Sequence, residues 1–91
     1  MNIDETIEKI ANHFGFTTED VLRKDKSHKV SHARNFIFFI LHAKCGLSIG
    51  TISKRLNRSQ SHIKHQNATI KYCVENFKDY KDTCSQIEAT L

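Results

Sequence analysis

The chain has 91 residues, of which 38% are hydrophobic and 26% charged, with three glycines, no proline and no tryptophan. A chain of this length folds around one small core, which argues against a large enclosed catalytic cavity; the composition excludes collagen-like and low-complexity chains, and the scarcity of Gly and Pro disfavours β-sandwiches. Its net charge of +4 is modest, and where that charge sits is more informative than its sum.

Ile3, Ile7, Ile10, Ala11 and Phe14 recur at helical spacing, with Asp4, Glu5, Glu8 and Lys9 on the opposite face, predicting an amphipathic helix over 3–14 that Gly15 ends. Thr17 or Thr18 then caps a short helix, with Glu19 and Asp20 in its first turn and Val21 and Leu22 facing inward. Residues 23–29 contain no apolar side chain and read as a basic loop. Val30, Ala33, Ile37, Ile40 and Leu41 define a longer helix closed by Gly46. Its centre, residues 36–41, is apolar nearly all round, so this is the helix expected at the middle of the fold.

Ser48 is the expected N-cap of a helix of barely two turns ending near Leu56, Asn57 and Arg58 make a turn, and Ser59 caps a further helix. Ile63, Ile70, Cys73, Val74 and Phe77 form the inward stripe of that helix. A last helix over 79–90 uses Tyr80, Cys84, Ile87 and Leu91. The reading is all-α, a compact bundle of about six short helices, with residues 1–91 as one domain and no internal repeat.

The longest apolar run has six residues, against the ~20 that a membrane span requires. The N-terminus lacks the basic and apolar regions of a signal peptide, so the chain is expected in the cytoplasm. Cys45, Cys73 and Cys84 form no C-x-x-C pair and read as small core residues in a reducing compartment.

Residues 1–22 carry one lysine against five acids, a net −4, and residues 73–91 carry two lysines against four acids, a net −2. Between them, residues 23–72 carry eleven Lys and Arg against Asp25 alone, a net +10, together with five of the six histidines. A basic middle between acidic ends is the electrostatic footprint of a polyanion-binding surface. Residues 48–67 supply the matching layout: a short capped helix, a tight turn, and a second helix anchored through Ile63. In a helix-turn-helix the first turn of the second helix enters the DNA major groove. Here it offers Gln60, Ser61, His62, Lys64 and His65. Gln can pair with the N6/N7 edge of adenine, Ser with a base or a phosphate, and Lys with guanine or a phosphate. The free N–H groups following Ser59 favour a phosphate, and Arg55 and Arg58 flank the turn.

These residues also carry a resemblance. Val30-Ser31-His32-Ala33-Arg34-Asn35, then Leu47-Ser48-Ile49-Gly50-Thr51-Ile52, then Arg58-Ser59-Gln60-Ser61-His62-Ile63-Lys64-His65 resemble the C-terminal DNA-binding domain of the bacterial replication initiator DnaA. The opening Ile10-Ala11 through Leu22 is similar to that domain's first two helices, so the likeness runs from about 7 to 77 in one order. The resemblance implies a Trp-repressor-like helix-turn-helix fold and binding of double-stranded DNA, as a replication accessory or regulator. It implies that Arg23, Lys24, Lys26 and Lys29 grip phosphates and that Arg34 enters the minor groove. It further implies that Arg58, Gln60, Ser61 and His62 read the major groove, with His65 further along the same helix. Ser59 stands where the family has Asp, Gln60 where it has His, and His62 where it has Thr, so different donors and acceptors face the bases. No G-x-x-x-x-G-K-S/T is present among three glycines, so no nucleotide-binding P-loop is expected and the chain reads as a free-standing module.

His28 and His32, four apart, and His62 and His65, three apart, have spacings that can ligate zinc, but no H-E-x-x-H or cysteine pair accompanies them, and no metal or cofactor is expected. No spacing pairs a cysteine with a base for nucleophilic catalysis, so the chain is not expected to be an enzyme. The competing reading is a protein-interaction module that keeps the fold with weak DNA affinity and takes another replication protein as partner. Tyr72, Phe77 and Tyr80 are then its anchors, although the same aromatics also suit a core.

Overall fold

The computed structural model describes residues 2–24 and 27–91. Among them the fold is all-helical, with α1 (Ile3–His13), α2 (Thr18–Leu22), α3 (His28–Ala43), α4 (Ile49–Leu56), α5 (Gln60–Asn76) and α6 (Lys78–Thr90). Each of the first five is started by a side chain that accepts from an otherwise orphaned first-turn N–H: Asn2, Thr17, Ser27, Ser48 and Ser59. At α2 the arrangement is a reciprocal capping box, in which Asp20 also accepts from the Thr17 backbone N–H at 3.0 Å. Those bonds, with the Arg23 guanidinium beside them, hold the Asp20 carboxyl below the usual carboxylate range.

The core forms around α3. Phe36, Ile37, Phe38, Ile40 and Leu41 are completely buried, because α1, α2, α4 and α5 all pack against this one helix. Each of those side chains contributes roughly 1.5–3 kcal/mol of apolar burial. Ile7, Ile10 and Ala11 close one side from α1, Ile52 and Leu56 another from α4, and Ile63 and Ile70 a third from α5. Helix α6 lies on α5 and α1, inserting Cys84 and Ile87. A ring cluster seals the junction of α1, α3 and α6, where His32 meets Phe14, Phe36 and Tyr80 at centroid distances of 5.1–5.6 Å.

Several side chains expected inside are at the surface. Phe77 is 50% exposed, because the backbone is extended there and it forms the one-residue break between α5 and α6 rather than the end of an apolar stripe. Leu22 and Leu91 stand at helix ends and are likewise exposed. The stripe of α5 instead contains Asn67, a buried amide with neither side-chain atom hydrogen-bonded. The basic stretch is also shorter as a loop than its composition indicates, since Ser27 caps α3 and draws His28 and Lys29 into that helix.

Candidate nucleic-acid interface

Helices α4 and α5 form the helix-turn-helix. Ser48 Oγ accepts from the Thr51 N–H at 3.1 Å, Ile52 and Leu56 bury one face of α4, and Thr51, Lys54 and Arg55 are left on the other. Asn57 adopts the left-handed conformation (φ 54°) that stops α4, and the Arg58 N–H turns back to the Ser53 carbonyl. Asn tolerates that region better than most residues, which suits it to the turn. Ser59 then caps α5 through the His62 N–H at 3.2 Å.

The first turns of α5 are fixed by one side chain. Ile63 is fully buried, whereas Gln60, Ser61, His62, Lys64 and His65 are exposed. Two of the exposed side chains have a defined seat. The His62 ring rests edge-on against Phe38, with centroids 6.0 Å apart, and Gln60 lies over Gly50 of α4, its amide nitrogen 3.8 Å from where a Cβ would stand. Beside them an open cleft of about 490 Å³ is lined by Lys24, Ser31, Arg34, Asn57, Arg58, Ser59 and His62. The cleft thus brings together the start of the basic stretch, the helix-turn-helix turn and the cap of α5.

The sequence profile of the bacterial DnaA protein helix-turn-helix matches residues 3–70. The chain belongs to that family. No curated protein matches the chain. The match covers α1 through most of α5, so the basic face and the α4–α5 unit of this DnaA helix-turn-helix domain lie within it, and α6 lies beyond it.

Not every expected contact residue in the DnaA-like domain faces outward. Arg34 is 6% exposed: its Nε donates to the Val21 carbonyl at 2.7 Å and its Nη2 to the Arg23 carbonyl at 2.8 Å. The residue expected to enter a minor groove is thus buried in this structure, with its guanidinium engaged by carbonyls of the domain. Arg58 is half-buried and donates to the carbonyls of Leu56, Asn57 and Arg23 at 3.0, 3.3 and 2.9 Å. The Arg23 side chain is exposed and pairs with Asp20 at 3.1 Å. Arg55 pairs with Asp4 of α1, also at the surface. Lys24, Lys29 and Lys64 are exposed, and Lys26 falls outside the described residues.

His32, one of the four histidines at zinc-like spacing, is committed to the ring cluster, and burial there lowers its pKa below the ordinary histidine value. Among the described residues no three His, Cys, Asp or Glu side chains gather as a metal site. The cysteines are free thiols, and burial pushes those of Cys45 and Cys84 up, away from the nucleophilic thiolate. Among the described residues no helix is long and apolar enough to cross a membrane. Asn57 stands in the turn as the sequence indicates, whereas the parts of Asp4, which pairs with Arg55, and Ser53, which donates to the Arg58 carbonyl, carried no local signal.

Proposed function

We propose that residues 1–91 act as one sequence-reading module for double-stranded DNA, serving replication as an accessory or regulator in the cytoplasm. The observation that carries this reading is the first turn of α5, where five polar side chains stand exposed around the single anchor Ile63, next to a cationic cleft. Gln60, Ser61 and His62 read base edges, with His65 following along the groove. Lys24, Lys29, Lys64, Arg23 and the N–H groups after Ser59 hold phosphates and set the register. Arg55 joins them by exchanging Asp4 for a phosphate, an exchange that costs at most about 1 kcal/mol at an exposed ion pair. Lys26 adds a phosphate contact from the same basic stretch.

The test is fluorescence-anisotropy binding to a DnaA-box duplex and a scrambled duplex across a salt series. A module making ~5–7 phosphate contacts should give a log–log salt slope of about −5 to −6. Steep, selective binding to the box makes it a ligand of DnaA sites. Steep binding without preference moves the target sequence elsewhere, to be recovered from a randomised duplex library. No binding at low salt rejects the DNA reading.

The second reading, an interaction surface for another replication protein, draws on one observation. Tyr72 is 61% and Phe77 50% exposed, and their rings lean on each other at 6.2 Å. The two surfaces are compatible, since this pair follows the α5 residues that face DNA by several turns.

A further inference from the structure

Two guanidinium groups from different elements converge on one backbone acceptor. The Arg23 carbonyl, at the end of α2, receives Arg34 Nη2 from α3 and Arg58 Nη2 from the α4–α5 turn, at 2.8 and 2.9 Å. The same side chains take further C-terminal carbonyls: Arg34 holds Val21 of α2, and Arg58 holds Leu56 and Asn57 at the end of α4. Both short helices therefore present the negative ends of their dipoles to the arginine pair, where orphaned carbonyls need donors. A planar fork with several fixed N–H groups can join acceptors on separate elements; a lysine ammonium is a single point of donation.

The position of this latch in the chain gives it a consequence. Lys24 follows the shared acceptor directly, and Gln60 stands two residues beyond Arg58. We infer that Arg34 and Arg58 are positioning residues, a latch that sets the spacing between the phosphate-gripping stretch at Lys24 and the base-reading turn of α5. This rests on the DNA-reading function proposed above. With the latch closed, a phosphate held at Lys24 fixes which base pair Gln60 and Ser61 meet. With it open, the two grips move independently and sequence preference fades while charge attraction remains.

The experiment compares wild type with Arg58→Gln, Arg34→Lys and the double variant on the duplex recovered from a randomised library, on each of its single-base-pair variants, and on a scrambled duplex across salt. The latch predicts that preference over the scrambled duplex drops about tenfold, that the loss spreads over every base pair in the site, and that the salt slope holds. It also predicts that the double variant loses little more than either single one, because both act through one carbonyl. Loss confined to one base pair would make the altered arginine a base contact, and a slope shallower by about one would make it a phosphate contact; either overturns the inference while leaving DNA reading intact. Failure of wild type to prefer any recovered duplex overturns the reading itself. Arg34 is buried, so if Arg34→Lys melts early, the half-buried Arg58→Gln decides the matter by the same criteria.

Discussion

Helices α3 and α5 are nearly equal in length, 16 and 17 residues, and opposite in character. Nine residues of α3 are buried, from Val30 to Leu41; α1, α2, α4 and α5 pack against it, and its ring cluster reaches Tyr80 of α6. Helix α5 buries only Ile63, Asn67 and Ile70. The middle of one helix is enclosed by its neighbours, while the other is held by a narrow seam that leaves its first turns exposed. The division teaches where substitutions should register: as lost stability in α3, as lost recognition in α5.

The largest effect expected from that division is at Phe38, fully buried in α3 and supporting the His62 ring. Phe38→Ala should cost about 3–5 kcal/mol in denaturant unfolding, a large share of a domain this small. A cost below about 1 kcal/mol would mean that α3 is not the organising helix. Gln60→Ala, in α5, should do the reverse. Its unfolding free energy should stay within about 0.5 kcal/mol of wild type, while discrimination at one base pair falls by about 1–3 kcal/mol in competition binding. Equal losses in both quantities would erase the contrast between the helices.

Smaller effects sharpen the boundary. Gly50 lies inside α4 with ordinary van der Waals room beneath Gln60, so Gly50→Ala should raise stability by about 0.5–1 kcal/mol in thermal melts. If it instead weakens DNA preference, the seat of Gln60 is tighter than its 3.8 Å spacing implies. The smallest effect belongs to His32, a titratable ring packed in the aromatic cluster of α3. Its folded pKa lies below the ordinary ~6.5, so the unfolded chain binds the proton more readily. Stability is therefore full above about pH 6.5 and declines as pH falls from there toward the folded pKa. His32→Phe should flatten that part of the pH–stability curve, and an unchanged curve would place the acid sensitivity elsewhere.

Most of the framework was readable one residue at a time. Thr17, Ser48 and Ser59 announce helix starts because a cap is a local bond, made within three residues of itself. The unbroken apolar run at residues 36–41 identifies the central helix because no helix apolar on all sides is stable at a surface. The exposed polar turn at Gln60–His65 was legible for the same reason, since only Ile63 there needed burying. Phe77 was not legible: periodicity extends a stripe past the point where the chain bends, and nothing local marks an extended residue with neither Gly nor Pro beside it. Asn67 breaks the pattern in the other direction, a polar residue on the buried stripe.

Arg34 shows most sharply where sequence reading ends. Composition counts it with the other cations of the basic middle, and its resemblance to a family position directs it outward, toward DNA. Whether a guanidinium points into the solvent or into the fold depends on acceptors, and its acceptors are the carbonyls of Val21 and Arg23, 13 and 11 residues away on another element. Arg58 finds the same Arg23 carbonyl from 35 residues away. Helix identity, caps, the central apolar helix and the overall charge distribution were determined by the sequence alone, because each depends on neighbours within one or two turns. Which arginines stay exposed and which brace the frame was decided only by the tertiary structure, because a hydrogen-bond donor is spent on whichever acceptor the packed helices bring to it.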